Sequence, residues 1–282
     1  MKLVFRVCTV TILLLFSGMS VYASSVVFST SGGSPADIQG TVDAFRTALG
    51  TLNPNVVGSF GSGRREINWD GVPDAMSAPN NLPPNFFNVN SPRGVVFSTP
   101  GTGFQVSANA GVAPIEFDTI NPGYSADFQT FSPQRLFTAL DSPITDVNFF
   151  IPGTTTAAFT SGFGAVFTDV DLANTTGIQF FDTQNNALGV PFFAPVANNG
   201  LSFLGVLFNA GEQIGRVRIT SGNAALGAGV NDLPPTTDLV VMDDFIYGEP
   251  TSAPEPSTWI LLASGLALIW IARAHRVLRP ML

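Results

Sequence analysis

Residues 163–194 read FGAVFTDVDLANTTGIQFFDTQNNALGVPFFA, and the reading of this stretch decides the fold class. Residues 164–171, 177–182 and 188–193 are three short runs rich in Val, Ile and Phe. Thr183-Gln184-Asn185-Asn186 lies between the last two, and such polar residues favour turns, so the pair predicts an antiparallel hairpin. The same rhythm continues outward. Runs at 26–30, 94–99, 104–108, 135–140 and 144–151 precede the hairpin, and runs at 201–208, 214–220 and 238–247 follow it. Clusters of Ser, Thr, Asn, Gly and Pro separate them. Short strands at this density predict a mainly β fold, an antiparallel β-sandwich or jelly roll over residues 24–250.

One helix interrupts the pattern. Ser34 and Pro35 supply an N-cap and a proline at the first helical position, and Asp37 follows in the first turn. Ile38, Val42, Phe45 and Leu49 recur at helical spacing before Gly50. Residues 53–92 read as an irregular elaboration of the same domain, with Arg64–Asp70 as its ordered centre, because Trp69, Phe86 and Phe87 need burial. The pentapeptide VVFST occurs at 26–30 and again at 95–99; a repeat this short in a Val/Phe/Ser/Thr-rich chain assigns no duplication.

Composition excludes much chemistry. The chain has one cysteine (Cys8), one histidine (His275) and one lysine (Lys2), all outside residues 24–253. That region therefore lacks the parts of a Ser-His-Asp triad, a Cys-His pair or a Schiff-base lysine. Zinc or copper held by imidazole or thiolate is excluded as well. With 19 acidic residues against seven arginines, the region carries a net −12 and repels nucleic acid. Hard oxygen-seeking cations such as calcium suit it better.

Asp169 and Asp171 alternate onto one face of a strand, and Asp243 and Asp244 sit together in the last run. These four are the calcium candidates, since carboxylates at strand ends are calcium ligands. Paired carboxylates also serve glycoside hydrolysis, and Glu66/Asp70/Asp74 and Glu116/Asp118 are the available sets. Trp69, the one tryptophan outside the tail, is the candidate ligand-stacking residue.

The two ends carry a separate message. Lys2 and Arg6 precede the short apolar core 10–16, and Val21-Tyr22-Ala23 offers a cleavage position before Ser24, which predicts a signal peptide over 1–23. At the other end stand Pro254, Glu255 and Pro256, then an apolar run at 259–272, then Arg273, Arg276 and Arg279. A membrane helix over about 258–274 is expected, with the arginines on the cytoplasmic side.

In that order, residues 251–282 resemble the PEP-CTERM sorting tail of exported bacterial proteins. That resemblance implies an exosortase-type processing partner, membrane anchoring before processing, and a final location at the cell surface or outside the cell. Residues 140–248 are similar in outline to the jelly-roll ectodomains attached to such tails, themselves similar to carbohydrate-binding modules. The expected function is accordingly a non-enzymatic surface or matrix protein linked to exopolysaccharide. A calcium-stabilised carbohydrate-binding module is the second reading and a glycan hydrolase the third.

Overall fold

A computed structural model describes residues 25–108, 116–252, 264–266 and 268–270. In chain order the elements begin β1 (Ser25–Gly32), α1 (Pro35–Leu49), β2 (Arg64–Ile67), α2 (Phe86–Val89), β3 (Val95–Ser98) and β4 (Gly103–Val106). Next come α3 (Tyr124–Asp127), β5 (Phe137–Leu140), β6 (Ile144–Phe149), β7 (Gly162–Val170) and β8 (Gly177–Asp182). The chain closes with β9 (Phe192–Phe193), β10 (Ala197–Phe208), β11 (Ile214–Thr220) and β12 (Val241–Gly248).

The strands form two open antiparallel sheets. One runs β1-β10-β7-β12-β5-β4 with β2 also paired to β12, and the other runs β3-β6-β11-β8-β9. Apolar side chains from both meet in one core. Phe163, Phe167, Phe245 and Tyr247 of the larger sheet pack with Phe97, Val147, Phe149, Phe180 and Ile219 of the smaller.

The larger sheet is covered on its other face too. Helix α1 begins at Ser34, whose side chain and backbone engage Asp37 in a capping box, with Pro35 at the first turn. Ile38, Val42, Phe45 and Leu49 line its buried stripe and pack on Val166, Leu201, Phe203 and Ile246. A third cluster of Phe117, Tyr124, Phe128, Leu136, Leu226, Leu239 and Val241 adds to this layer structure.

The sandwich or jelly-roll expectation is corrected by this arrangement. Neither sheet closes, and the helix adds a third layer, so the fold is a mixed α/β architecture with two open antiparallel sheets. The physical reason lies in β7 and β12, which are buried residue after residue rather than in alternation. Strands buried on both faces need cover on both faces.

Phe45 seats on a glycine pair. Gly164 of β7 faces Gly205 of β10, and a Cβ at Gly164 would lie 2.9 Å from Phe45 Cε1 and 2.9 Å from Gly205 Cα. Gly164→Val must therefore push α1 off the sheet, and we expect a loss of about 1–3 kcal/mol, the usual cost of overpacking. Urea unfolding measures it, and an unchanged midpoint would refute this account of the helix–sheet contact.

Among the described residues no helix is long and apolar enough to cross a membrane. Of the expected span 258–274, the described residues are 264–266 and 268–270, and these are helical. The signal-peptide reading of 1–23, with Ala23 and Ser24 at the cleavage position, lies outside the described residues. So do Pro254, Glu255, Pro256, Arg273 and Arg276 of the tail.

Candidate functional site

The end of β7 is irregular in a way that gathers carboxylates. Its pairing with β10 steps from Thr168↔Leu201 to Val170↔Ala197, so residues 198–200 bulge out opposite Asp169. Bulges of this kind re-aim side chains. Asp169 adopts a left-handed backbone (φ 67°), a conformation Asp tolerates better than most residues, and the Asn199 N–H donates to its Oδ1 at 2.7 Å.

Two residues on, the Asp171 N–H donates to Asp238 Oδ1 at 3.0 Å, and the Thr175 hydroxyl bonds the other Asp238 oxygen. Asp232 comes from the connection between β11 and β12, where the Leu239 N–H donates to its Oδ1 at 2.8 Å. One oxygen from each of Asp169, Asp171 and Asp232 lies within 4.8 Å of the others. Both oxygens of Asp171 are closed off from solvent and meet no hydrogen-bond donor. Such a set is suited to coordinating a divalent cation.

The electrostatics agree with that geometry. Burial pushes the Asp169 carboxyl up to about 7 against the opposing Asn199 bond, and the charges of Asp171, Asp232 and Asp127 push the same way. Asp232 is raised by burial and then by its contact with Asp171. Asp238 and Asp127 are raised as well, burial again the larger cause. None of the ion pairs among the described residues brings an arginine to these acids. A bound cation would supply the missing counter-charge.

Asp243 and Asp244 belong elsewhere. A register shift in β12 between Met242 and Phe245 lets both side chains serve the segment 131–132. Asp243 Oδ2 accepts from the Phe131 and Ser132 N–H groups at 2.6 and 3.1 Å, and the Ser132 hydroxyl donates to Asp244 Oδ1 at 2.7 Å. Arg46 of α1 donates to Asp244 Oδ2 at 3.2 Å and to Glu66 Oε2 at 3.0 Å. Burial and the neighbouring Asp244 charge hold the Asp243 carboxyl well above the usual carboxylate range. The pair thus fastens helix and loop to the sheet, and the four sequence-predicted carboxylates form two groups rather than one.

Trp69 is only 1% exposed and stacks on Phe137 with ring centroids 4.0 Å apart. Its indole N–H donates to the Asp243 carbonyl at 3.0 Å, so neither ring face is open to a ligand. Phe86 and Phe87 are also buried. The carboxylates considered for hydrolysis are engaged structurally: Glu66 with Arg46 and Arg64, Asp74 with Arg135, and Asp70 with the Arg135 N–H.

Glu116 is half-buried, its Oε2 is enclosed with no partner among the described residues, and this burial raises its carboxyl to about 7. A raised carboxyl gives stability that is complete below the unfolded value near 4.5 and is lost as pH rises through about 7. Melting of the native chain should therefore fall more steeply between pH 5 and about 8 than melting of Glu116→Gln. Parallel curves for the two would contradict this assignment.

Sequence reasoning missed Asp232, Asp238 and Asp127. Asp232 and Asp238 flank Leu-Pro-Pro-Thr-Thr in a turn-rich stretch, a signal for a loop but not for what the loop meets.

No family model, no curated protein and no solved structure matches the chain. The reading as an exported surface or matrix protein with an exosortase partner, a membrane anchor and a polysaccharide link is corrected accordingly. No family match supports it, neither sheet closes as the related modules would require, and no described helix is long enough to anchor it.

Proposed function

We propose that the chain is a non-enzymatic cation-binding protein, holding calcium between Asp169, Asp171 and Asp232. The observation that carries the reading is the Asp171 carboxylate, buried against two other acids with no donor to either oxygen. Two like-charged carboxylates in contact need a shared proton or a cation between them, and above pH 7 the cation is the better partner. The donor set supports calcium over zinc or copper, since every side chain offered is a carboxylate. Calcium also tolerates irregular geometry and fills its remaining positions with carbonyls and water, whereas magnesium demands a near-ideal octahedron.

In this reading the ion ties the end of β7 to the connection between β11 and β12. Titration calorimetry of the chelator-treated full chain with calcium chloride tests it. One saturable site is expected, weakened at least about ten-fold by Asp171→Asn, because ligand charge sets affinity in such sites. Tighter binding of magnesium than calcium would refute the choice of ion. No binding heat and no competition with a calcium dye would refute the function.

A further inference from the structure

Acids outnumber arginines in this domain, and six of the seven arginines are paired. Arg46, Arg64, Arg65, Arg135, Arg216 and Arg218 each meet a carboxylate within 3.2 Å. Arg93 meets none. Its guanidinium makes one hydrogen bond, Nη1 to Ser91 Oγ at 2.6 Å, and lies 5.0 Å from the Phe87 ring centroid. Its Nε is buried with no acceptor, and burial lowers its affinity for the proton. The residue is half-buried, and a guanidinium with an enclosed, unsatisfied Nε–H and no carboxylate partner is left with donors for an anion.

Arg93 lines a cleft of about 400 Å³ between α1, the segment after it and the start of β3. That volume falls in the range of small-molecule sites. Asn55 and Asn68 line the same cleft, both exposed, and among the described residues no protein group takes up either side-chain amide. Two acids, Glu66 and Asp244, also reach it; both are ion-paired with Arg46, which Asp43 shares, and Glu66 with Arg64 as well. Neither acid forms an ion pair with Arg93.

We propose that this cleft binds a small molecule through an oxyanion group, carboxylate or phosphate, received by the Arg93 guanidinium and the amides of Asn55 and Asn68. A planar guanidinium sharing a cleft with neutral amide donors offers the donors that the lone pairs of such a group require. The Phe87 ring fixes the guanidinium plane beforehand, which reduces the ordering cost of binding. The site is independent of the aspartate cluster, so its failure leaves the cation reading untouched.

The test uses the full chain with succinate and inorganic phosphate as separate probes and glycerol as the uncharged control. The Arg93 Nε–Hε resonance is followed by NMR. Saturable movement below about 10 mM of one probe is expected, with none from glycerol. Response to succinate alone assigns a carboxylate ligand, and response to phosphate alone assigns a phosphoryl one. Arg93→Gln should abolish binding followed by calorimetry. The exposed Asn68→Asp, which adds a repelling charge without touching the core, should weaken it at least about five-fold. An unmoved Arg93 resonance with both probes, or native affinity in both variants, overturns the proposal.

Discussion

Glu249→Ala should lower stability by about 3–5 kcal/mol, the largest single-residue effect this structure implies. Arg65 and Glu249 are both fully buried side chains joined by two parallel hydrogen bonds, Nε to Oε2 at 2.6 Å and Nη2 to Oε1 at 2.9 Å. The guanidinium reaches further: Nη1 donates to the Pro54 and Pro92 carbonyls at 2.7 and 3.0 Å, and Nη2 to the Gly58 carbonyl at 3.1 Å. One residue thereby organises the irregular segment 54–58 and the approach to β3. Removing Glu249 strands the Arg65 charge among those carbonyls without its counter-charge.

At roughly 2–4 °C per kcal/mol for a domain of this size, the melting temperature should fall by about 10 °C. Breaking Arg218–Asp146 makes a useful contrast, because the Arg218 side chain is 43% exposed and Asp146 retains Arg216. Arg218→Ala should cost no more than about 1 kcal/mol. The double replacement Arg65→Met with Glu249→Leu should cost much less than Glu249→Ala alone, since it leaves no unpaired charge. A Glu249→Ala protein within about 1 kcal/mol of the native one would refute the account of this pair.

Chelation is the second large effect. If the aspartate cluster holds an ion, EDTA should lower the melting temperature, and calcium at about 100 times its dissociation constant should restore about 2.7 kcal/mol. That corresponds to about 5–10 °C at the same conversion. Asp171→Asn should melt at one temperature in EDTA and in calcium. The effect should shrink in acid, because protons compete for the same carboxylates, and Asp169 takes one up at about 7. Equal midpoints for the native chain in EDTA and calcium at pH 8 would argue against a structural ion.

The elements were more legible than their arrangement. Helix α1 could be read residue by residue, because its cap, its proline and its apolar spacing are all local. The strand runs were legible too, apart from β2, whose Arg-Arg-Glu-Ile does not look like a buried strand. Its polar residues are accommodated by long-range partners: Arg65 by Glu249, and Glu66 by Arg46 and Arg64. That the helix covers a face of a sheet was legible from its apolar stripe, but strand order was not, because pairing such as β12 with β2 spans most of the chain and leaves no local mark. The unbroken apolar run 162–167 was a sign of a strand covered on both faces.

The site divides in the same way. Asp169 and Asp171 come from one strand end, so their proximity follows from alternation plus a bulge. Asp232 arrives from a distant connection and could not be inferred. Trp69 misled through its polar neighbours, which suggested exposure, whereas the ring is buried and its indole N–H satisfies a buried carbonyl of β12. Asp243 and Asp244 misled for a related reason, since a buried pair at a bulge serves backbone amides as readily as an ion.

Anomalous diffraction from crystals grown with manganese, an oxygen-seeking stand-in for calcium, tests the cation site most directly. One strong peak is expected in contact with carboxylate oxygens of Asp169, Asp171 and Asp232, absent from Asp171→Asn crystals. A map with no peak among these three residues, or with a peak only at Asp243 and Asp244, would contradict it.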